Sequence, residues 1–190
     1  MTVLAAGAFA LPVQRWVTVR RSRTAAVPAL GDPARLSAVL AVSDIDDVTR
    51  RALDHLAQRI ATELEAPSAL VSLLDDTEQH FPGQYGLGGG PAALACGGLP
   101  LEYSFCRYVV ASGQPLVITN ALDDRLVRNH RSVTERGVRS YVGVPLFGAG
   151  GYIVGVVSAY DTFIRTWGDT AVDQLHGFAR IAESLLGTGH

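Results

Sequence analysis

Two long apolar runs near the C-terminus constrain the fold more than any other feature. They are SYVGVPLFG (140–148) and YIVGVVSAYDT (152–162), and only the tripeptide Ala149-Gly150-Gly151 separates them. Runs rich in β-branched residues that are joined by a short glycine-containing turn are typical of an antiparallel hairpin. The sequence therefore predicts a β-hairpin over residues 140–162.

Other segments extend this hairpin into a sheet with helices around it. SALVSLLDD (68–76) is a continuous apolar run, typical of a central strand, and EQHFPGQYG (78–86) is its predicted partner, at an edge because it contains Pro82. PLVITNA (115–121) predicts a further strand. Helices are expected over 33–40, 44–66, 104–112 and 123–137 and from residue 168 onward, and residues 86–100 are expected to form a loop. Helices that bracket a mainly antiparallel sheet indicate an α+β fold.

Two of these helices carry apolar stripes at helical spacing. The first, with Ser43 or Asp44 as its expected N-cap, and the last could pair with each other. Such stripes either cover the sheet of their own subunit or join two subunits, and both alternatives stay open at this point. The residues of the two stripes are Leu53, Leu56, Ile60 and Leu64, and Val172, Leu175, Phe178 and Leu185.

The N-terminal region and the charge of the chain suggest where it works. Residues 1–31 are expected to be an extension, with one strand between Val13 and Val19, before a domain over residues 32–190. Basic residues follow the apolar run LAAGAFALPV instead of preceding it, which argues against a signal peptide. A net charge of −2 gives no cationic surface for nucleic acid. We therefore expect a cytoplasmic protein with neither nucleic-acid nor membrane partners.

Four segments together resemble a GAF domain, the small-molecule sensor module of bacterial signalling proteins. They are LVSLLDDTEQHFPGQYGL (70–87), YSFCRYVVASGQPLVITNALDDRLVRNHRSV (103–133), YVGVPL (141–146) and GVVSAYDT (155–162). The match is closest to GAF domains of actinobacterial regulators and histidine kinases. The resemblance implies a central antiparallel sheet with a ligand pocket on one face. It also implies that the N- and C-terminal helices pack on the other face, where such domains often dimerise.

The resemblance places Cys106 beside the pocket, within the motif Ser104-Phe105-Cys106. A cysteine there either lines the cavity or reacts, and a reactive thiol would need a lowered pKa from Arg107 or a helix N-terminus. Arg125 and Arg128 lie three positions apart, so on a helix they could together bind a carboxylate or phosphate. The candidate ligand-binding residues are Phe81, Tyr103, Cys106, Asn120, Asp123, Arg125, Asn129, His130, Tyr141 and Ser158.

A second cysteine opens a redox alternative. Cys96 precedes Cys106 by ten positions, which resembles the paired cysteines of free methionine-(R)-sulfoxide reductases, an enzymatic branch of the family. Those enzymes carry a third cysteine in the segment that matches NALDDRLVRNH (120–130), and this segment has none. The sequence therefore disfavours the enzyme, while a redox switch between Cys96 and Cys106 stays open.

No cofactor is specified by the sequence. His80, His130 and Cys106 show no familiar metal-ligand spacing, and GLGGGP (86–91) lacks the context of a phosphate-binding loop. Haem and nucleotides stay open as ligands because GAF domains include binders of both. The leading hypothesis is a non-catalytic sensory and regulatory domain that signals through its terminal helices to a second copy or a signalling partner. The alternatives are a thiol enzyme and an interaction domain with no ligand.

Overall fold

The computed structural model describes residues 30–86 and 98–188. The helices are α1 (Pro33–Ala41), α2 (Asp47–Glu63), α3 (Cys106–Ser112), α4 (Arg131–Thr134) and α5 (Ala171–Leu185). The strands are β1 (Ser68–Leu74), β2 (Glu78–Tyr85), β3 (Gly98–Pro100), β4 (Leu116–Ile118), β5 (Ser140–Phe147) and β6 (Ile153–Asp161). Short 3₁₀ turns cover Leu101–Tyr103 and Ala149–Gly151.

The strands form one sheet in the order β3-β2-β1-β6-β5-β4, and every neighbouring pair is antiparallel. The predicted hairpin is confirmed, because β5 pairs with β6 from Ser140 opposite Asp161 to Phe147 opposite Ile153. The predicted α+β fold is therefore confirmed. β3 pairs only with Glu78–His80, so Pro82 lies on β2 beyond the end of β3, where a missing N–H breaks no pairing with that strand.

One face of the sheet is covered by α2 and α5, and we call it the outer face. Leu53 and Ile60 of α2 and Leu175 of α5 are fully buried in one cluster with alternate residues of the central strands. The two apolar stripes therefore meet within a single chain and cover its own sheet. The strand residues in this cluster are Ala69, Val71, Leu73, Val142, Val144, Leu146, Val154, Val157 and Ala159.

The opposite face, which we call the inner face, is covered by α3 and by the segment that follows β4. Phe105, Val109 and Val110 pack there against Tyr141 and Val156. Gly113 ends α3 in the left-handed conformation, with φ 64° and its N–H bonded to the Val109 carbonyl. The end of α3 predicted from the sequence is thus confirmed.

The prediction of a helix over residues 123–137 is wrong. This segment forms turns, and only Arg131–Thr134 is helical. Asn120 and Asp124 each accept a hydrogen bond from the backbone N–H two residues further on, at 3.1 and 2.8 Å. Such local side-chain bonds offer the backbone an alternative to helix, which explains the failure of the prediction.

Three smaller predictions also need correction or stay untested. The N-cap of α2 is Asp46, whose carboxylate accepts from the Thr49 N–H at 2.7 Å, and neither Ser43 nor Asp44 takes this role. Part of the predicted 86–100 loop, Gly98–Pro100, is strand β3. The extension over 1–31 and its strand stay predictions, because residues 1–29 lie outside the described part of the chain.

Helix α1 is fixed to the sheet by a buried arginine that sequence analysis missed. The Arg35 side chain is fully buried and donates to the carbonyls of Leu74 at 2.7 Å and Asp75 at 3.1 Å. It also donates to the Leu30 carbonyl through Nε at 3.1 Å. Burial lowers the pKa of this guanidinium, and the nearby acidic groups, Asp75 first, oppose that effect. Arg35 thus links the start of the domain to the end of β1.

Replacing Arg35 should destabilise the domain. Arg35→Met removes the donors and leaves buried carbonyls unpaired, so we expect the free energy of unfolding to fall by about 2–4 kcal/mol. Urea unfolding measures this quantity. The matched control is Arg51→Met on the exposed side of α2, which should change it by less than about 0.5 kcal/mol. Equal effects of the two substitutions would contradict the role given to Arg35.

The turn between β1 and β2 is held by the carboxylate of Asp75. One oxygen accepts from the N–H groups of Thr77 and Glu78 at 2.7 and 2.6 Å, and the other lies 2.7 Å from His80 Nε2. Burial acts to raise the pKa of Asp75, but the hydrogen bonds from His80, Glu78 and Thr77 outweigh it and hold the pKa far below its usual value.

This lowered pKa predicts a pH-dependent contribution to stability. The contribution is complete above about pH 5, where the carboxylate is ionised in both folded and unfolded chains, and it is lost as the pH falls further. Asp75→Asn should therefore destabilise the domain by about 1 kcal/mol at pH 7 and by less at pH 3. Urea unfolding of both proteins across this range tests the prediction. Asp76→Asn is the control, since no hydrogen bond of its carboxylate occurs within residues 30–86 and 98–188.

Candidate functional site

The inner face carries a cluster of buried polar side chains around Cys106. The Cys106 thiol lies 3.3 Å from the Tyr141 hydroxyl and accepts a hydrogen bond from the Gln79 amide, also at 3.3 Å. The same amide group donates to the Ser72 hydroxyl at 2.8 Å. All four side chains are almost completely buried. Three strands and α3 therefore converge on one sulfur atom.

The sheet register explains why these residues meet. Ser72 is one of the β1 residues on the inner face, and Gln79 reaches that face because it pairs opposite Leu74 across a bulge between Val71 and Leu73. Tyr141 can extend toward the thiol because residue 143 is glycine. A Cβ atom at Gly143 would lie 2.3 Å from the Tyr141 hydroxyl oxygen.

Two serine hydroxyls beside this cluster have no hydrogen-bond partner among the described residues. Ser158 is fully buried on β6, and Ser104 is 2% exposed just before α3. Both hydroxyls act to lower the pKa of the Cys106 thiol, so they lie near the sulfur even though neither makes a hydrogen bond of good geometry. An unpaired buried hydroxyl costs about 1–3 kcal/mol, and native structures seldom keep one without a reason.

Burial dominates the acid–base properties of the cluster. It raises the pKa of the Cys106 thiol, and hydrogen bonding from Tyr141 and the neighbouring polar groups offsets only part of this effect. Burial also raises the pKa of Tyr141 well above its usual value, with Cys106 adding to the shift. Both groups are therefore neutral near pH 7. A neutral thiol is a poor nucleophile, since the thiolate is the reactive form.

Several residues predicted for the site lie on or near the inner face. Cys106, Tyr141 and Ser158 are in the polar cluster, and Phe81 packs nearby against Leu70 and Leu99. The structure thus brings four of the ten predicted residues to the inner face as buried side chains.

His130 covers the cluster from the segment before α4. Its ring packs on Phe105 with a centroid distance of 4.8 Å, and Nδ1 accepts from the Ser132 N–H at 3.2 Å. Nε2 is buried without a partner in the described structure. Burial lowers the pKa of His130, and the charge of Arg107 lowers it further. The imidazole is therefore held neutral, with an unused N–H.

The other polar candidates lie in the turns between β4 and α4. Asn120 donates to the Asp123 carboxylate at 2.6 Å, and Arg125 and Asn129 are exposed. No hydrogen bond joins these four residues to the Cys106 cluster within the described ranges. Because the segment is not helical, Arg125 and Arg128 do not share a helix face, and the arrangement expected for binding an anion is not formed.

A network of charged residues closes one side of the inner face, and we call it the clasp: Glu102, Tyr103, Arg131 and Glu135. Arg131 forms ion pairs with Glu102 and, at 2.7 Å, with Glu135, whose other oxygen accepts from the Tyr103 hydroxyl at 2.7 Å. The Arg131 guanidinium also lies over the Tyr103 ring, 4.3 Å from its centroid. Tyr103, predicted as a ligand-binding residue, therefore stands at the rim of the site.

Sequence analysis missed Ser72, Gln79 and Ser104 as members of the site. Ser72 could have been predicted, because it is a polar residue within an apolar strand. Alternate residues of a strand face the same side, so its position in β1 indicates which face it reaches. Gln79 gave no such signal, since the bulge that turns it inward is not visible in the sequence. Cys96 belongs to residues 87–97, outside the described structure, so its pairing with Cys106 stays a prediction.

Neither a metal-binding cluster nor a membrane-spanning helix occurs among the described residues. In residues 30–86 and 98–188, no three histidine, cysteine or acidic side chains are grouped closely enough to hold a metal ion. Within the same ranges, no helix has both the length and the apolar character needed to cross a membrane.

Comparisons with solved structures show what the fold is similar to. The GAF domain of an Acinetobacter phosphoenolpyruvate-protein phosphotransferase is 16% identical, with a TM-score of 0.58 over 81% of this chain and 93% of that one. Residues 122 to 287 of a methyl-accepting chemotaxis protein are 19% identical, with a TM-score of 0.60 over 78% and 94%. A free methionine-R-sulfoxide reductase from Neisseria meningitidis, solved with its substrate, is 21% identical, with a TM-score of 0.57 over 88% and 93%.

These likenesses, all below 25% identity, establish the fold alone. No curated protein matched the sequence. A family model described as GAF domain matches residues 48–186, which is more than half of the chain. The resemblance seen in the sequence is thus confirmed, and the protein belongs to the GAF domain family.

Proposed function

We propose that this protein is a non-catalytic sensory domain that binds a small molecule on its inner face, near Cys106. Binding changes the packing of α2 and α5 on the outer face, and the change passes to a second copy or a signalling partner. The GAF fold is a sensory fold, and similar structures include a chemotaxis protein and a histidine kinase domain. The ligand site and its coupling to the helices are the parts of this function that we propose beyond the sensory fold itself.

The observation that carries the proposal is the set of unpaired polar groups on the inner face. Ser104, Ser158 and His130 Nε2 are buried, and none has a partner in the described structure. A small molecule with hydrogen-bonding groups would satisfy them and recover part of the cost of burying them.

Coupling to the helices follows from the central strands. In β1 and β6, residues alternate between the two faces, so Ser158 faces the site while its neighbour Val157 packs in the α2 and α5 core. A ligand that moves β6 must therefore change packing under the helices. A ligand shifts the equilibrium between two arrangements of the domain only by the difference between its binding free energies for the two.

A thiol enzyme is the first alternative. Reductases of free methionine-R-sulfoxide from Neisseria meningitidis, Thermoplasma acidophilum and Staphylococcus aureus have similar folds, which favours this reading. The raised pKa of Cys106 and the lack of cysteine in residues 120–130 argue against it, since attack on sulfur requires a thiolate.

A ligand-free interaction domain is the second alternative. Large apolar side chains are exposed on three helices, with Leu40 on α1 at 75%, Val48 on α2 at 68% and Ile181 on α5 at 40%. These residues suit a dimer or partner contact on the helical side of the domain. The same contact would also serve the sensory domain as its output, so it does not by itself decide between the two readings.

Ligand binding is tested by thermal unfolding with nucleotides, amino acids, haem, nitrate and redox agents. A compound at about 100 times its Kd should raise Tm by about 5–10 °C. Ser158→Ala should leave the Tm of the free protein unchanged or higher, because its hydroxyl is unpaired, and should reduce the ligand-induced rise by about 2–4 °C. Ser184→Ala, at an exposed position of α5, is the control. If none of these compounds raises Tm, the result would favour the ligand-free interaction domain.

Catalysis is tested through the thiol. In a Cys96→Ser background, Cys106 should react with a disulfide reagent on the order of 100-fold more slowly in the folded protein than in urea, because it is buried and protonated. The unsubstituted chain should not turn over free methionine-R-sulfoxide in the presence of a thiol reductant. Turnover that disappears in Cys106→Ser would establish the enzyme and overturn the sensory proposal.

A further inference from the structure

We propose that the ligand of the inner face carries a carboxylate, which Arg136 binds at the rim beside Tyr160. This inference rests on the proposed function, because it describes one end of the same site. It names the chemical class of the ligand as a small monocarboxylate with an apolar body. Arg136 was not among the residues predicted from the sequence.

Arg136 stands beside Tyr103 at the rim of the site. Its guanidinium lies 4.7 Å from the centroid of the Tyr103 ring, next to the clasp. Its charge also reaches the phenol of Tyr160, because it lowers the pKa of that group against the larger opposing effect of burial. The Arg136 side chain is half-buried, so it is only partly hydrated. The Arg136 guanidinium therefore lies against the Tyr103 ring, and its charge acts on Tyr160 as well.

The charge of Arg136 is not taken up by any acidic side chain. All 18 aspartates and glutamates of the chain lie within the described residues, and none forms an ion pair with Arg136. Glu135 feels its charge but is already bonded to Arg131 and Tyr103. No hydrogen bond from the Arg136 guanidinium is found to the described residues. A half-buried cation of this kind favours an anion from outside the chain.

The neighbouring surface supplies a place for an apolar body. Tyr103 and Tyr160 both pack against the cluster of Leu70, Phe81 and Leu99. Tyr160 lies directly opposite Tyr141 in the sheet and two residues from Ser158, on the same face. A ligand placed along this surface would contact the unpaired Ser158 hydroxyl at one end, apolar and aromatic groups in the middle and Arg136 at the other end.

The donor set favours a carboxylate over a phosphate. A guanidinium matches the two oxygens of a carboxylate through parallel N–H bonds, and the Tyr160 hydroxyl can add one more donor. A phosphate group, with more charge, usually recruits several cations or a helix N-terminus. Arg131, which also lies over the Tyr103 ring, is already neutralised by Glu102 and Glu135. One available cation suits one negative charge.

The test compares 3-phenylpropanoate with its amide, 3-phenylpropanamide, which has the same body without the charge. Binding to the full chain is followed by ¹H–¹⁵N NMR titration. The carboxylate should bind about tenfold more tightly than the amide and shift the signals of Tyr160 and Ser158. In Arg136→Gln this preference should vanish, while Arg136→Lys should keep part of it because a charge remains. Arg128→Gln, which removes an exposed arginine of the same region, should keep all of it.

Each other outcome overturns the inference in a recognisable way. If acid and amide bind equally at the inner face, small-molecule binding stands and the carboxylate assignment fails. If phenyl phosphate binds more tightly than the carboxylate, and this depends on Arg136, the anion is a phosphate. A preference that survives Arg136→Gln assigns the anion to another residue. If neither compound binds up to its solubility, the assignment fails, and the thermal screen decides separately whether the proposed function also fails.

Discussion

The burial of the central strands on both faces is the constraint on which the rest of the structure depends. Every residue of β1 is buried, and so are all residues of β5 and β6 apart from Phe147 and Tyr160. A strand in this position must be apolar on both sides, and any polar side chain in it needs a partner. Ser68 donates a hydrogen bond to the Gly86 carbonyl, and Ser140 donates one to the Phe163 carbonyl. Ser72 accepts one from the Gln79 amide. Ser158 has no hydrogen-bond partner in the described structure, and the proposed ligand site is built on that exception.

The same constraint made most of the fold predictable from the sequence. Continuous apolar runs are rare outside buried strands and helices, so β1, β5 and β6 were found close to their true limits. The predicted start of α1 at residue 33 is also confirmed. The prediction failed where hydrophobic periodicity carries no information. Between Asn120 and His130, side-chain bonds to nearby N–H groups decide the backbone, and β3 is only three residues long.

The site was predicted less completely, because it is made by contacts between strands. Cys106, Tyr141 and Ser158 could be named from the family motif and its neighbours. Gln79 could not, since its orientation depends on a bulge opposite Val71 and Leu73 that leaves no mark in the sequence. The role of Arg136 could not be predicted from the sequence for a different reason. An unpaired charge becomes visible only when every acidic side chain of the chain has been placed, and in the sequence sixteen basic residues face eighteen acidic ones.

The unpaired groups have an energetic consequence that bears on the proposed signalling role. A domain of this size is stable by about 5–15 kcal/mol, and each buried group without a partner removes about 1–3 kcal/mol of that. The free protein therefore stays folded with a few such groups. A ligand that forms hydrogen bonds with them recovers the lost stability only in the arrangement of the domain that places these groups within its reach. Ser158 and Tyr160 lie on β6, whose other face packs under α2 and α5. In the proposed function, occupancy of the inner face is linked to the packing of the terminal helices through this single strand.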